Sequence, residues 1–143
     1  MDNPEISLEK ILIIDDIQVH RFLIVSGLTK IRKCEILQAS GIQEAKDILA
    51  KNKVDAIVCD WNMPEGDGGM MVEWIREQKG ISDTPFVMIS GNNHIEDIIR
   101  AFMEYDLDSY VVKPFLPAGL NDKISGAIRS RKKKTDLRTL IHG

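Results

Sequence analysis

Polar residues that could carry out chemistry stand at the ends of four short apolar runs in this chain. Asp15 and Asp16 follow the first run, Asp60 the third, Ser90 the fourth and Lys113 the fifth. The carboxyl ends of parallel strands meet at one edge of a sheet, so these side chains would lie together if the runs are strands. Three carboxylates at one edge repel each other unless a cation lies between them, and a hard divalent cation such as Mg²⁺ suits oxygen ligands. Carboxylates, a metal ion and a lysine together indicate a phosphoryl-transfer site.

Each member of this set has a role in such a reaction. Asp60 is the candidate nucleophile, and it needs no general base because a carboxylate is already ionised. Lys113 and the metal ion would neutralise charge on the phosphoryl oxygens, to which the Ser90 hydroxyl could donate a hydrogen bond. Taken singly, Asp16 could be only a helix cap and Ser90 only a turn residue, so the prediction depends on the complete set.

Apolar runs alternate with segments of helical periodicity five times along the chain, which is typical of βα units around a parallel sheet. The predicted strands are 11–14, 35–39, 56–59, 86–89 and 110–112. Between them, apolar residues recur at steps of three and four, and we expect these faces to pack on the sheet. The faces are Val19/Phe22/Leu23, Ile42/Ala45/Ile48/Leu49, Met71/Trp74/Ile75, Ile95/Ile98/Ile99/Phe102 and Leu120/Ile124/Ala127/Ile128. The predicted fold class is α/β, a doubly wound five-stranded parallel sheet with helices on both faces.

Length and composition indicate one soluble domain. The chain has 143 residues, 43% of them hydrophobic, which is ample for a single buried core. It has no apolar stretch of about 20 residues that could span a membrane, and its first residues are acidic, unlike a signal peptide. We therefore expect no membrane insertion and a cytoplasmic location. Cys34 and Cys59 lack the spacing of a zinc site and are expected to be reduced structural thiols.

The net charge of −3 is unevenly distributed. Residues 129–143 contain six lysines and arginines against Asp136 alone, so the rest of the chain is more acidic than the whole. An acidic body argues against direct nucleic-acid binding. We divide the chain into a domain at 8–130 and a basic C-terminal extension of the last helix at 131–143. The extension could contact a polyanion or an acidic partner, although a solvated, fraying helix end is the simpler interpretation.

Five motifs occur in order over residues 8–130. They are Ile13-Ile14-Asp15-Asp16, Asp60-Trp61-Asn62-Met63-Pro64, Asp67-Gly68, Ser90-Gly91 and Tyr110-Val111-Val112-Lys113-Pro114. This set resembles the receiver domains of two-component response regulators, and the segment from Cys59 to Pro64 looks especially like the single-domain chemotaxis regulators. A lone Asp-Asp pair would be weak evidence, whereas the ordered set is specific. The resemblance implies a flavodoxin-like receiver fold with strand order 2-1-3-4-5.

The resemblance also implies a role for each motif residue. Asp60 would accept the phosphoryl group from the phosphohistidine of a histidine kinase or a histidine phosphotransfer protein. Mg²⁺ would be held by Asp16, Asp60 and the backbone carbonyl of Asn62, with Asp15 nearby. The phosphate would be bound by Ser90, Lys113 and Gly91. This glycine replaces a common alanine, which keeps the phosphate accessible. The Lys113-Pro114 bond would be cis.

Ser90 and Tyr110 match the positions that couple phosphorylation to the output surface in this family. We expect that surface on the fourth helix, at Phe102, Met103 and Tyr105, together with the last strand and the last helix. It would bind a downstream protein target, and a homodimer through the fourth helix, fifth strand and fifth helix is a further expectation. The chain would be a signalling phosphoacceptor and not an enzyme, apart from its own phosphorylation and dephosphorylation.

Three other functions fit parts of the pattern. An aspartate-nucleophile phosphatase would need a general-acid aspartate two residues after Asp60, where this chain has Asn62. A nucleotide- or flavin-binding module would need a glycine motif after the first strand, where Asp15 and Asp16 would repel a diphosphate. A receiver-fold binding or dimerisation module with little phosphorylation is the remaining alternative, and retention of the whole polar set argues against it. Asn62 and Asn92 match positions that tune dephosphorylation in the family, so the lifetime of the phosphorylated state stays open.

The histidines have no predicted role in chemistry. His20, His94 and His142 lack carboxylate or cysteine partners at ligand spacing and are expected at the surface or in loops. Trp61 is expected to pack, although it adjoins Asp60. The glycine-rich segment 66–69 is expected to make the loop beyond Asp60 mobile.

Overall fold

A five-stranded parallel sheet with helices on both faces forms the architecture. The computed structural model of the protein describes residues 8–142. In chain order the elements are β1 (Glu9–Ile14), α1 (Gln18–Ile31), β2 (Cys34–Ala39), α2 (Ile42–Lys51), β3 (Ala56–Asp60), β4 (Asn62–Met63), β5 (Gly66–Asp67), α3 (Gly68–Glu77), β6 (Phe86–Ser90), α4 (Ile95–Glu104), β7 (Ser109–Val112) and α5 (Pro117–His142). The main sheet has the order β2-β1-β3-β6-β7 with parallel neighbours throughout, which confirms the predicted fold class and strand order.

Alternate side chains of the strands enter two apolar layers, one on each face of the sheet. In β1, Leu12 and Ile14 belong to one layer, whereas Ile11 and Ile13 belong to the other. Helices α2, α3 and α4 contribute to the first layer, and α1 and α5 contribute to the second. Because strand side chains alternate with a period of two, an uninterrupted apolar strand is buried on both faces. The sheet thereby holds the carboxyl ends of β1, β3, β6 and β7 side by side.

Helix α1 turns a different face to the sheet from the one predicted. The sequence predicts that Val19, Phe22 and Leu23 pack on the sheet, but they are 60–67% exposed. Ile24 and Leu28 are buried instead. Apolar residues lie nearly all round this helix, so their periodicity does not distinguish the inner face. The predicted face is therefore wrong, and the first half of α1 presents an apolar surface to solvent.

Helix α4 also differs from its predicted packing. Ile95, Ile99 and Phe102 are 43–67% exposed, and Ala101 is the buried residue of this helix. Ile98 is half-buried beside it. A small side chain at the contact lets the helix approach the sheet closely, and the larger apolar residues then point outward. The predicted inner face of α4 is wrong apart from Ile98.

The glycine-rich segment after Asp60 forms a short hairpin and not an open loop. β4 and β5 pair antiparallel, with Asn62 opposite Asp67 and Met63 opposite Gly66. Gly66 has φ of 152°, a conformation that side chains with a Cβ rarely adopt. The Asp67 side chain then accepts the backbone N–H of Met70 at 2.9 Å and caps α3.

A buried ion network ties the second half of α5 to the sheet. Arg131 is 2% exposed, and its guanidinium donates to Asp106 at 2.9 and 3.0 Å and to Asp108 at 2.9 Å. The Asp108 side chain is fully buried and also accepts Arg76 at 3.1 Å and the backbone N–H of Phe86 at 2.9 Å. Buried charges are tolerated when they are paired and hydrogen-bonded in this way.

This network corrects the interpretation of the basic extension. Residues 117–142 form one continuous helix, so the predicted division between residues 130 and 131 falls inside α5. Lys134 contacts Asp106 at 3.3 Å, and Arg138 contacts Asp83. A solvated, fraying helix end is therefore wrong at Arg131, which is part of the packed body. Within residues 8–142 no helix is long and apolar enough to cross a membrane.

Candidate functional site

Asp60 and Lys113 meet at the carboxyl edge of the sheet. Asp60 ends the central strand β3 and is 4% exposed, while Lys113 directly follows β7. The Lys113 Nζ lies 2.5 Å from Asp60 Oδ2, and Asp60 Oδ1 accepts the backbone N–H of Asn62 at 3.0 Å. Both oxygens of this carboxylate thus have a donor, which compensates for the loss of water around a buried charge.

Asp15 lies beside this pair. Its Oδ1 accepts the backbone N–H of Ile17 at 2.9 Å, and its Oδ2 lies 3.4 Å from His20 Nδ1. Burial raises the pKa of Asp15 because it disfavours the charged form. The hydrogen bond from Ile17 opposes this rise, and the negative charge of Asp60 adds to it. The acidic centre is therefore short of positive charge at Asp15.

A cavity of about 690 Å³ opens over Asp60. Asp16, Asn62, Asp67 and Lys113 are among the residues that line it. Carboxylate, carbonyl and amide oxygens are the ligands that hard divalent cations prefer. The predicted metal ligands therefore share one cavity, and this donor set is compatible with a divalent metal ion. Sequence reasoning gave no role to Asp67, whose position two residues beyond the glycine-rich turn offers no signal for it.

Ser90 and Tyr110, the predicted switch residues, contact the same loop residue. Ser90 ends β6, is 4% exposed, and its Oγ accepts the backbone N–H of Asn92 at 3.1 Å. The Tyr110 hydroxyl donates to the backbone oxygen of Asn92 at 3.1 Å. Gly91 is exposed between them, and a Cβ there would meet no atom within 4 Å. The loop between β6 and α4 thus physically connects Ser90 to Tyr110.

The predicted output residues do not share one environment. Phe102 and Met103 are 43% and 82% exposed on α4. Tyr105 is half-buried, and its ring meets Trp61 edge-on with centroids 5.5 Å apart. Trp61 packs against the apolar layer, as predicted. Because Trp61 adjoins Asp60 in the chain, Tyr105 links α4 to the acidic site and is only partly available to a partner.

His20 is the residue that sequence reasoning missed. It was assigned to the surface or to loops, yet one ligand atom from each of Asp15, Asp60 and His20 lies within 4.8 Å of the others. The signal was its spacing, because His20, Ile24 and Leu28 follow each other at steps of four and so lie on the inner stripe of α1. His94 and His142 are exposed, as predicted.

Other predictions about individual residues agree with the structure. The Lys113-Pro114 peptide bond is cis, as the family resemblance implied. Both cysteines are free, with Cys59 buried and Cys34 half-buried. Burial raises the pKa of both thiols, which suits structural cysteines and not nucleophiles.

Comparison with known proteins identifies the family. The family described as "Response regulator receiver domain" matches residues 11–125. A chemotaxis protein CheY homolog of Campylobacter jejuni is 33% identical over 83% of this chain and 92% of that protein, and chemotaxis protein CheY1 of Helicobacter pylori is 28% identical over 80% and 93%. The solved structure of chemotaxis response regulator CheY4 of Vibrio cholerae has a TM-score of 0.77 and 26% identity, covering 85% of this chain and 99% of that chain.

The chain therefore belongs to the response regulator receiver family. It is a response regulator of two-component signalling, and it is similar to chemotaxis regulators that match it over most of their own length. The predicted flavodoxin-like receiver fold and the predicted resemblance are both confirmed.

Proposed function

We propose that this response regulator accepts a phosphoryl group on Asp60 from a histidine kinase or a histidine phosphotransfer protein, and that phosphorylation switches a protein-interaction surface. The observation that supports the proposal best is the contact between Asp60 and Lys113 in a cavity that Asp16 and Asn62 also line. A nucleophilic carboxylate beside a lysine can both attack phosphorus and neutralise the charge that moves onto the phosphoryl oxygens.

The transfer step requires only the Asp60 carboxylate as nucleophile. One Asp60 oxygen forms a bond to phosphorus while the bond from phosphorus to the donor's imidazole nitrogen breaks, and that nitrogen retains the bonding electron pair. Lys113, which holds Asp60 Oδ2 in the resting protein, would move to a phosphoryl oxygen as the aspartate loses its charge. No residue is needed to remove a proton, because the nucleophile is already ionised.

The oxygen donors of the cavity fit Mg²⁺. Asp16, Asp60 and the backbone carbonyl of Asn62 would hold the ion, with Asp15 nearby. The raised pKa of Asp15, caused first by burial and increased by the charge of Asp60, supports a need for another positive charge at this edge. When bound, the ion would supply positive charge to the phosphoryl oxygens.

The switch would operate through the loop that contains Asn92. Ser90 Oγ and Gly91 would bind the phosphoryl group, and this requires Ser90 Oγ to turn away from the Asn92 N–H that it accepts in the resting protein. The Tyr110 hydroxyl, held by the Asn92 carbonyl, would then lose its partner or follow the loop. Differential contacts of this kind are what allow a modification to shift a two-state equilibrium.

The phosphoryl donor and the downstream target would use different faces. Ile17 lines the cavity and is 45% exposed, and Val19 and Phe22 continue an apolar surface along α1, which would suit the donor. Phe102 and Met103 on α4 would contribute to the output surface for a downstream protein. A homodimer through α4, β7 and α5 stays a proposal.

Other expected properties follow the same proposal. The buried and paired arginines of α5 leave little free positive charge for nucleic acid, so no direct nucleic-acid binding is proposed. Asn62 takes the place where a phosphatase of this kind would need an acid, so we propose no enzymatic activity on a separate substrate. A cytoplasmic location stays a prediction.

The test uses acetyl phosphate as a small phosphoryl donor. The wild type, Asp60→Asn and Asp122→Asn would each be incubated with and without Mg²⁺, and intact mass and tryptophan fluorescence would be recorded. Asp122 is exposed on α5 and serves as the matched control. We expect a Mg²⁺-dependent adduct of one phosphoryl group on the wild type and on Asp122→Asn, and none on Asp60→Asn.

The result that would reject the proposal is a wild type that forms no adduct and whose fluorescence also fails to respond to the phosphoryl analogue beryllofluoride. A binding or dimerisation module with little phosphorylation would then be the better interpretation.

A further inference from the structure

We propose that His20 adds a nitrogen ligand to the acidic centre and forms, with Asp15 and Asp60, a second metal position that selects a transition-metal ion such as Zn²⁺ or Co²⁺ over Mg²⁺. The inference concerns the same carboxyl edge as the proposed function but does not depend on phosphoryl transfer. The juxtaposition that carries it is one imidazole and two buried carboxylates whose ligand atoms lie within 4.8 Å of one another.

The distance between His20 and Asp15 suits two ligands of one ion. Zinc binds histidine nitrogen and carboxylate oxygen at about 2.0–2.2 Å, so two tetrahedral ligands are about 3.4 Å apart. The His20 Nδ1 lies 3.4 Å from Asp15 Oδ2. The Asp60 carboxylate needs to move by about 1 Å to complete the set, a distance within the reach of side-chain rotation.

The imidazole nitrogen has no partner within the described part of the chain. His20 Nδ1 is buried from water and has no hydrogen bond, although the rest of the ring is partly exposed. A buried nitrogen without a partner costs about 1–3 kcal/mol, so such atoms are uncommon unless another group binds there. Asp15 Oδ2 likewise has no hydrogen-bond donor apart from this close approach, since Ile17 occupies Oδ1. The two free ligand atoms face each other.

The surroundings favour an ion that gives up its water. His20 and Asp15 line a cavity of about 650 Å³ on the α1 side, whose other walls include Leu23, Ile24, Pro114, Phe115 and Leu120. Mg²⁺ usually keeps several waters and prefers oxygen ligands, whereas imidazole suits zinc, cobalt and nickel. The oxygen-lined cavity over Asp60 is therefore the better place for Mg²⁺, and the His20 position is the better place for a transition-metal ion.

Lys113 is the group that must yield. It lines both cavities and holds Asp60 Oδ2, so a dication at the His20 position would displace its ammonium from Asp60. A transition-metal ion bound to His20 would thus also occupy the nucleophile, and it would inhibit phosphorylation instead of supporting it.

The experiment measures metal binding to the full chain above the ordinary pKa of imidazole, where the ligand is neutral. Titrations with Mg²⁺, Zn²⁺ and Co²⁺ would be followed by calorimetry and, for Co²⁺, by visible absorption. They would use the wild type, His20→Gln and His142→Gln, with circular dichroism as a check on folding. His142 ends α5, is exposed, and reports any binding of these ions to an ordinary surface imidazole.

We expect His20→Gln to lose at least about tenfold in Zn²⁺ and Co²⁺ affinity, the lower range for removal of even an outer-shell partner, while His142→Gln matches the wild type. Mg²⁺ affinity should change less than about threefold, since the Mg²⁺ ligands are oxygens. In the wild type, the imidazole ¹⁵N resonances of His20 should shift on addition of Zn²⁺ and not of Mg²⁺.

Equal Zn²⁺ and Co²⁺ affinity in the wild type and His20→Gln would overturn the inference. Parallel loss of Mg²⁺ and Zn²⁺ affinity would also overturn it, because His20 would then only orient Asp15. The acetyl phosphate assay with Mg²⁺ separates the two proposals, since His20→Gln should still form the Asp60 adduct. A wild type that binds Zn²⁺ through His20 but never forms that adduct would reject the proposed function and leave this inference standing.

Discussion

Replacement of Arg131 by methionine should destabilise the protein strongly, although Arg131 lies in a segment whose sequence predicts a solvated extension. The change keeps most of the side-chain length but removes every guanidinium contact with Asp106 and Asp108. Asp108 is fully buried, so loss of a partner leaves a charge without full compensation.

The magnitude follows from what remains around Asp108. Breaking a buried pair by removing one partner costs about 3–5 kcal/mol when nothing replaces it. Here Arg76 still binds Asp108 at 3.1 Å, and the Phe86 N–H remains. Loss of Arg131 also relieves its repulsion of Arg76, whose pKa is lowered first by burial and next by that charge. We therefore expect the free energy of unfolding to fall by about 2–3 kcal/mol, below the full range.

Urea unfolding followed by circular dichroism would measure this loss. The matched control is Lys134→Met, one turn further along α5, where a 43% exposed ammonium contacts Asp106 at 3.3 Å. An exposed pair of this kind contributes less than about 1 kcal/mol. If Arg131→Met loses no more stability than Lys134→Met at an unchanged denaturant slope, the argument that α5 is held by a buried network is refuted.

The same network predicts a dependence of stability on acid. The hydrogen bond from Arg131 lowers the pKa of Asp106 from its ordinary 3.8 to about 2. A carboxyl group whose pKa is lower in the folded state stabilises the fold above its unfolded pKa, and this contribution is lost as the pH falls from about 4 to about 2. Because the Asp106 side chain is 51% exposed, screening limits the contribution to about 1 kcal/mol or less. Unfolding free energies measured across this window should show a smaller acid loss in Arg131→Met than in the wild type, and identical slopes would contradict the assignment.

Two further predictions concern the packing near the site and the thiols. In Gly69→Ala the new Cβ would lie 2.6 Å from the Tyr105 ring, so the ring must leave its edge-on contact with Trp61; we expect a red-shifted tryptophan emission and a loss of about 0.5–1.5 kcal/mol, and an unchanged spectrum would count against this contact. A thiol reagent should modify only Cys34 in the native protein, and slowly, while Cys59 should react only after unfolding; equally fast reaction of both would show that Cys59 is not buried as described.

Sequence reasoning predicted the site because the site depends on strand ends. Asp15, Asp60, Ser90 and Lys113 each stand at or just after the end of an apolar run, and parallel strands necessarily bring their carboxyl ends to one edge. The strand order followed from the family motifs, and the strands were found because uninterrupted apolar runs are characteristic of strands buried on both faces. Local chain order therefore carried most of the information about this edge.

Helix orientation needed the tertiary structure. Helix α1 has apolar residues on most of its circumference, and its inner face is decided by its neighbours: a Cβ on Gly27 would lie 2.5 Å from the Pro117 ring, so α1 and α5 approach closely at that point. This packing turns His20 toward Asp15 and leaves Phe22 outside. The sequence alone determined which polar residues reach the sheet edge, since strand period and direction are local properties. Only the tertiary structure decided that His20 joins them and that Arg131 is buried, because both depend on contacts between residues far apart in the chain.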